Sequence, residues 1–101
     1  MLQIFKVSGR SLWPDYKEGD FVVIVKIALF LHTLNPGDVI IFDHPVFGVM
    51  IKRVESYDPN QEAVTVLGNQ PDSIDSRRFG PIPKSSVTGK VILHIRNPRA
   101  L

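Results

Sequence analysis

Lys17-Glu18-Gly19-Asp20-Phe21-Val22-Val23-Ile24 has an echo in Asn35-Pro36-Gly37-Asp38-Val39-Ile40-Ile41-Phe42. In both stretches a Gly-Asp pair leads straight into four apolar, mostly β-branched residues. Glycine supplies the positive φ that a tight turn needs, Pro36 restricts its own φ, and β-branched side chains suit a pleated surface. Each stretch therefore reads as a turn that delivers a buried strand. The echo is too short to mark a repeat architecture.

The same punctuation runs outward in both directions. Short runs rich in Val, Ile and Phe alternate with Gly, Pro, Asn and Asp, which predicts strands near residues 3–7, 20–26, 39–43, 48–56, 62–67 and 90–95. Eight prolines spread along the chain exclude a long helix and leave room for at most one helical turn after Ser11. Asp58-Pro59-Asn60 reads as the tip of a long hairpin. Residues 68–89 hold no clear strand, and a polar, proline-containing stretch of that length in a compact domain is a functional or a disordered loop. The expected fold class is all-β: one small domain over residues 1–101, built of coiled or barrel-like antiparallel sheets.

Composition narrows the chemistry. A chain of 101 residues, 44% hydrophobic and 22% charged, is long enough for one core without covalent staples. With no cysteine there is no disulfide, thiolate nucleophile or cysteine-ligated zinc. His32, His44 and His94 lack ligand spacing, so neither a metal nor another cofactor is expected. A net charge of +2, even with the basic tail Arg96 to Arg99, is too weak to indicate nucleic acid. The aromatics are dispersed among apolar runs and read as core rather than as a base-stacking face. The longest apolar stretch, residues 21–31, is interrupted by Lys26 and falls short of the roughly 18–20 residues that span a bilayer. Residues 1–7 do not resemble a signal peptide. The expectation is a protein with no membrane anchor that remains in the cytoplasm.

Three segments carry possible chemistry. In Val7-Ser8-Gly9-Arg10-Ser11-Leu12-Trp13-Pro14-Asp15, a serine sits between a glycine and a proline on a constrained turn at a strand end, where a hydroxyl is held beside backbone N–H groups. Many serines in such turns are purely structural. In Val49-Met50-Ile51-Lys52-Arg53-Val54, a period of two puts Lys52 on one face with Met50 and Val54, and Arg53 on the other with Ile51. One of the two basic side chains must then head inward unless it snorkels to water. Burial matters because an ordinary lysine, with a pKa of about 10.4, is protonated at neutral pH, whereas a dry one is a usable base. The third segment, residues 67–80, is dense in small polar groups, and its Asp75 and Arg77 are placed to pair.

Taken together and in this order, the segments resemble the boxes of the type I signal peptidases and their soluble relatives. Gly9-Arg10-Ser11-Leu12-Trp13-Pro14 is similar to the family's Gly-x-Ser-Met-x-Pro, Lys52-Arg53-Val54 to its Lys-Arg-Val strand, and Gly68 through Arg77 to its Gly-Asp-Asn…Ser-x-Asp-Ser-Arg box. The similarity runs from residue 7 to about 90 and includes both Gly-Asp turns and Gly89-Lys90-Val91. It implies an endopeptidase in which Ser11 is the nucleophile and Lys52 the general base. Ser73 would hydrogen-bond the lysine, Asp75 and Arg77 would hold the loop, and backbone N–H groups at Ser11 would hold the oxyanion. The implied partner is a precursor protein or peptide bound as an extended strand, with no nucleic acid and no membrane span.

Departures from the pattern are informative. Gly9 stands where some members carry a serine hydroxyl, Leu12 replaces methionine, and Asn69-Gln70 replace Asp-Asn, which puts the loop's hydrogen bonding in question. The short length and missing anchor resemble the nickel-type superoxide dismutase maturation proteases, implying removal of a leader from that enzyme's precursor. The self-cleaving domain of LexA-type repressors shares the Ser and Lys boxes but not Ser-x-Asp-Ser-Arg, and with ten residues ahead of Ser11 in this sequence the expectation is that no upstream cleavage loop is present. A non-catalytic basic β-barrel that binds nucleic acid is the other alternative. Phe30 and Leu31, between a strand and the Asn35-Pro36-Gly37 turn, form either core or an exposed docking tip.

Overall fold

The computed structural model describes residues 2–26 and 34–98. Seven strands, β1 (Leu2–Lys6), β2 (Phe21–Val25), β3 (Val39–His44), β4 (Gly48–Asp58), β5 (Ala63–Leu67), β6 (Ile82–Pro83) and β7 (Val87–Ile95), form one antiparallel sheet in the order β1-β2-β7-β3-β4-β5-β6. Among the described residues the helical content is one short turn, α1 (Ser76–Phe79), and a 3-10 turn at Lys84–Ser86. The all-β expectation is borne out. No helix among the described residues is long and apolar enough to cross a membrane. The possible docking tip at Phe30 and Leu31 lies outside the described residues.

The sheet carries apolar side chains on both faces near its centre, which explains the unbroken apolar runs. Ile40 and Phe42 of β3 enter one cluster with Val54, Val64, Val66 and Val87. Ile41 enters a second with Val7, Val22 and Ile24. A strand buried on both faces reads as continuous hydrophobicity rather than alternation. β2 and β5, by contrast, alternate, with Val22, Ile24, Val64 and Val66 fully buried. Register shifts at Val23/Ile24, Ile41/Phe42 and Val54/Ser56 mark bulges that bend the strands so that one sheet wraps two clusters. β7 joins the halves by pairing with both β2 and β3. A Cβ at Gly89 would lie 2.5 Å from the Val25 carbonyl oxygen, so glycine is what lets β2 cross there.

The two Gly-Asp stretches fold alike, as their sequences predict, with positive φ at Gly19 and Gly37. After Ser11, a single hydrogen bond from the Tyr16 N–H to the Leu12 carbonyl closes one turn that does not continue into a helix. Residues 68–89 are more ordered than expected. Asp75 caps α1. The two-residue β6 tolerates Pro83 because it is an edge strand, where a missing N–H costs no ladder bond. β7 begins at Val87, several residues earlier than its apolar pattern indicates, because Thr88 and Gly89 dilute the signal.

Candidate active site

Among the described residues, two strand edges lie open beside each other. β1 pairs with β2 alone. β4 pairs with β5 only from Arg53 onward, so residues 48–52 keep a free edge opposite β3. Between them lies a cleft of about 250 Å³, lined by Phe5 through Ser11 on one wall and Phe47 and Val49 through Lys52 on the other. Both walls run towards the end where Ser11 and Lys52 stand.

Lys52 is 3% exposed. As period two required, it shares the inward face of β4 with Met50 and Val54. Arg53 points the other way, donating to Asp15 at 3.1 Å and to the Gly37 carbonyl at 3.2 Å. Burial pushes the Lys52 amine down from its ordinary pKa; the Asp75 carboxylate opposes this and the Arg77 guanidinium adds to it. Snorkelling to water, the ordinary fate of a strand lysine, is blocked here.

Ser11 is half-buried, and its Oγ donates to the Ile51 carbonyl at 3.3 Å. Among the described residues no hydrogen bond joins that hydroxyl to the Lys52 amine in this state. The Ser11 backbone N–H has no acceptor among the described residues, whereas the Gly9 N–H is taken by Glu18 at 3.3 Å.

The loop after β5 holds the Ser11 turn in place. Asn69 donates its backbone N–H to the Ser11 carbonyl, and its side-chain amide to the Leu12 carbonyl at 2.9 Å and to Asp15 at 3.1 Å. Gln70 donates to the Trp13 carbonyl at 2.8 Å. The two residues that depart from the Asp-Asn pattern thus supply a dense set of bonds, which the loop's composition did not disclose. Gly68 permits the approach: a Cβ there would meet the Ser73 side chain and lie 2.9 Å from the Ser11 carbonyl oxygen.

Asp75 is fully buried and anchors this loop. It accepts from the Gly68 N–H at 2.8 Å and the Arg77 N–H at 3.0 Å, and forms a two-pronged pair with the Arg77 guanidinium at 3.0 and 2.7 Å. Burial pushes its carboxyl up, but the bonds from Arg77 and Gly68 outweigh burial and hold it below its ordinary pKa. Arg77 also reaches the Gln70 carbonyl at 2.9 Å. Ser73 Oγ is buried and has no hydrogen-bond partner among the described residues, so it is not tied to the lysine here.

The place of His94 is not legible in the sequence. Its Nε2 lies 2.7 Å from Asp20, and its ring stacks on Tyr16.

The family model described as signal peptidase, peptidase S26, matches residues 1–62 and 58–95. Among curated proteins none matches closely enough to show a relationship. With the family match running along nearly the whole of an all-β chain, the protein belongs to the signal peptidase family, peptidase S26, and is a serine peptidase of that type.

Proposed function

We propose that residues 1–101 form one catalytic unit, an endopeptidase that uses a Ser11/Lys52 dyad to remove a leader from a precursor protein. The supporting observation is that Ser11 lines the same cleft as a lysine that is buried and held below its ordinary pKa. A substrate segment adds as a strand along the open edge of β4 at residues 48–52, the mode by which free edges take extended peptides. The Ile51 carbonyl that now accepts from Ser11 belongs to that edge. An incoming N–H takes that acceptor and frees the hydroxyl to turn to the Lys52 amine, a rearrangement of the kind that apo sites undergo on binding.

Ser11 Oγ then attacks the scissile carbonyl carbon and its proton passes to Lys52 Nζ. The oxyanion is held by the unoccupied Ser11 backbone N–H. Collapse expels the leaving amine, which takes the proton from Lys52, and water activated by the regenerated Lys52 amine hydrolyses the acyl ester. Ser73, with its unsatisfied hydroxyl, orients the lysine, and the Asp75–Arg77 pair holds the loop that carries it. The substrate proposed first is the precursor of a nickel-type superoxide dismutase, met in the cytoplasm.

Incubating the protein, Ser11→Ala and Lys52→Ala with leader-bearing precursors, that one included, and reading products by intact mass tests this. Discrete cleavage by the parent and none by either variant is the expected result. Cleavage that survives in Ser11→Ala would overturn the dyad, and cleavage of other precursors alone would overturn the assignment of substrate.

A further inference from the structure

The far end of the cleft from Ser11 is closed by the β3–β4 hairpin, whose tip presents Phe47. The ring is braced from several sides: its centroid is 5.1 Å from that of His44 and 6.0 Å from that of Phe79, and the Arg78 guanidinium lies 5.9 Å over it. Phe79 in turn meets Phe42 of the core. The backbone is fixed as well, since the N–H groups of Val46 and Phe47 both donate to His44 Nδ1, at 3.1 and 3.3 Å. Even so, Phe47 remains 38% exposed and lines the cleft. An aromatic side chain that is rigidly braced yet left open on one side is preorganised to receive an apolar group, because little ordering remains to be done on binding.

We infer that Phe47 is a specificity-determining residue, forming an apolar subsite for a Leu-, Ile-, Met- or Phe-sized side chain of the extended substrate at a distance from the cut. This rests on the reading of the cleft as a peptide site. The distance follows from the wall: Phe47 lies in the turn just before β4, five positions ahead of Lys52, and an extended chain advances about 3.3 Å per residue, so the side chain sits at most roughly 17 Å, or about five residues, from the scissile bond. Continuity carries the assignment, since Phe47, Ser11 and Lys52 line one cavity.

The experiment has two arms. In the first, a cleaved precursor is scanned with Ala and Leu at each of the six positions on either side of the cut, and kcat/KM is compared between parent, Phe47→Ala, Phe47→Trp and Val46→Ser. The parent should prefer Leu over Ala by about tenfold at one position four to six residues from the cut, the scale set by one apolar group in a pocket. Phe47→Ala should reduce that ratio to about one, while Phe47→Trp and Val46→Ser retain it. Cleavage with the same preferences in Phe47→Ala overturns the inference and leaves the peptidase reading standing. In the second arm, the same peptides, fluorescently labelled, are titrated onto Ser11→Ala, where a Leu-dependent gain in affinity that Phe47→Ala abolishes supports the subsite. Absence of peptide binding overturns both readings.

Discussion

Asp20 and Asp38 make matching contacts beneath the two walls of the cleft. The carboxylate of each accepts from the backbone N–H three residues earlier, Lys17 or Asn35, at 3.0 Å. The carbonyl of each accepts a backbone N–H at 2.7 Å: Asp20 from Val7, on the path to Ser11, and Asp38 from Val54, two residues past Lys52. Gly19 and Gly37 complete the match by donating back to Val7 and Val54 at 2.9 and 2.8 Å. Each aspartate also pairs with β7, through His94 at 2.7 Å and Lys90 at 3.2 Å. The internal echo in the sequence is therefore the means by which one turn sets the nucleophile's strand and the other the lysine's.

The two turns should differ in strength. Asp20 also accepts from the Asn97 N–H at 2.8 Å. Burial pushes its carboxyl up, but the bonds from Asn97, Lys17 and His94 prevail and hold it at about 2. Asp20→Ala should cost about 3 kcal/mol, since it strands buried donors, and Asp38→Ala about 1 kcal/mol, since Lys90 is partly solvated. Thermal melts at pH 7 should rank the variants in that order. Because the carboxyl's pKa is lowered on folding, its contribution is complete above the ordinary value of 3.8 and is lost as pH falls towards 2, so the gap between parent and Asp20→Ala should close in acid.

Lys52 should trade stability for function. Burial lowers its proton affinity in the folded chain, so the unfolded chain binds that proton more tightly and folding is penalised at neutral pH, the penalty fading as pH rises towards the ordinary value of 10.5. Lys52→Met keeps the side chain's length without the amine. It should gain on the order of 1 kcal/mol, a rise of about 4–8 °C in Tm for a domain this size, and lose all cleavage. A lower Tm in Lys52→Met at neutral pH would contradict the burial argument.

What the sequence disclosed and what it hid divide on physical lines. Alternation placed Lys52 and Arg53 on opposite faces because a strand's period is strict, without telling which face is inward, and Gly-Asp turns were legible because positive φ leaves a compositional mark. The clamp by Asn69 and Gln70 was hidden, since polar loop residues look the same whether they bond water or the Ser11 turn. So was the Asp20–His94 pair, whose members are far apart in the chain. The resting bond from Ser11 to Ile51 depends on a single χ angle, and no pattern of residue types encodes that.

Gly68 should be irreplaceable for activity though not for folding. Its φ is unexceptional, so alanine is not strained by backbone conformation, but the added methyl would displace Ser73 and press on the Ser11 carbonyl at 2.9 Å. Shifts of about 1 Å at reacting groups cost around 100-fold in rate. Gly68→Ala should lower kcat by about that factor and cost about 1–3 kcal/mol by overpacking. An unaltered kcat in a folded Gly68→Ala would dissociate this contact from catalysis.

The charges around Lys52 give a test that simple damage to the loop would not mimic. If the neutral amine is the base, kcat/KM should rise with pH through one ionisation with a midpoint below 10.5. The Asp75 carboxylate favours the ammonium and the Arg77 guanidinium disfavours it. Asp75→Asn should therefore move the midpoint to lower pH and Arg77→Gln to higher pH, although both weaken the loop and lower the plateau rate. Asp75→Asn breaks a pair at a fully buried carboxylate and should also cost about 3 kcal/mol, and Arg77→Gln should lower stability by leaving that carboxylate without its guanidinium. Full pH profiles on the folded variants separate the two effects, because loosening alone lowers the plateau in both without driving the midpoints apart. Midpoints that stay together would remove Lys52 from the role of base.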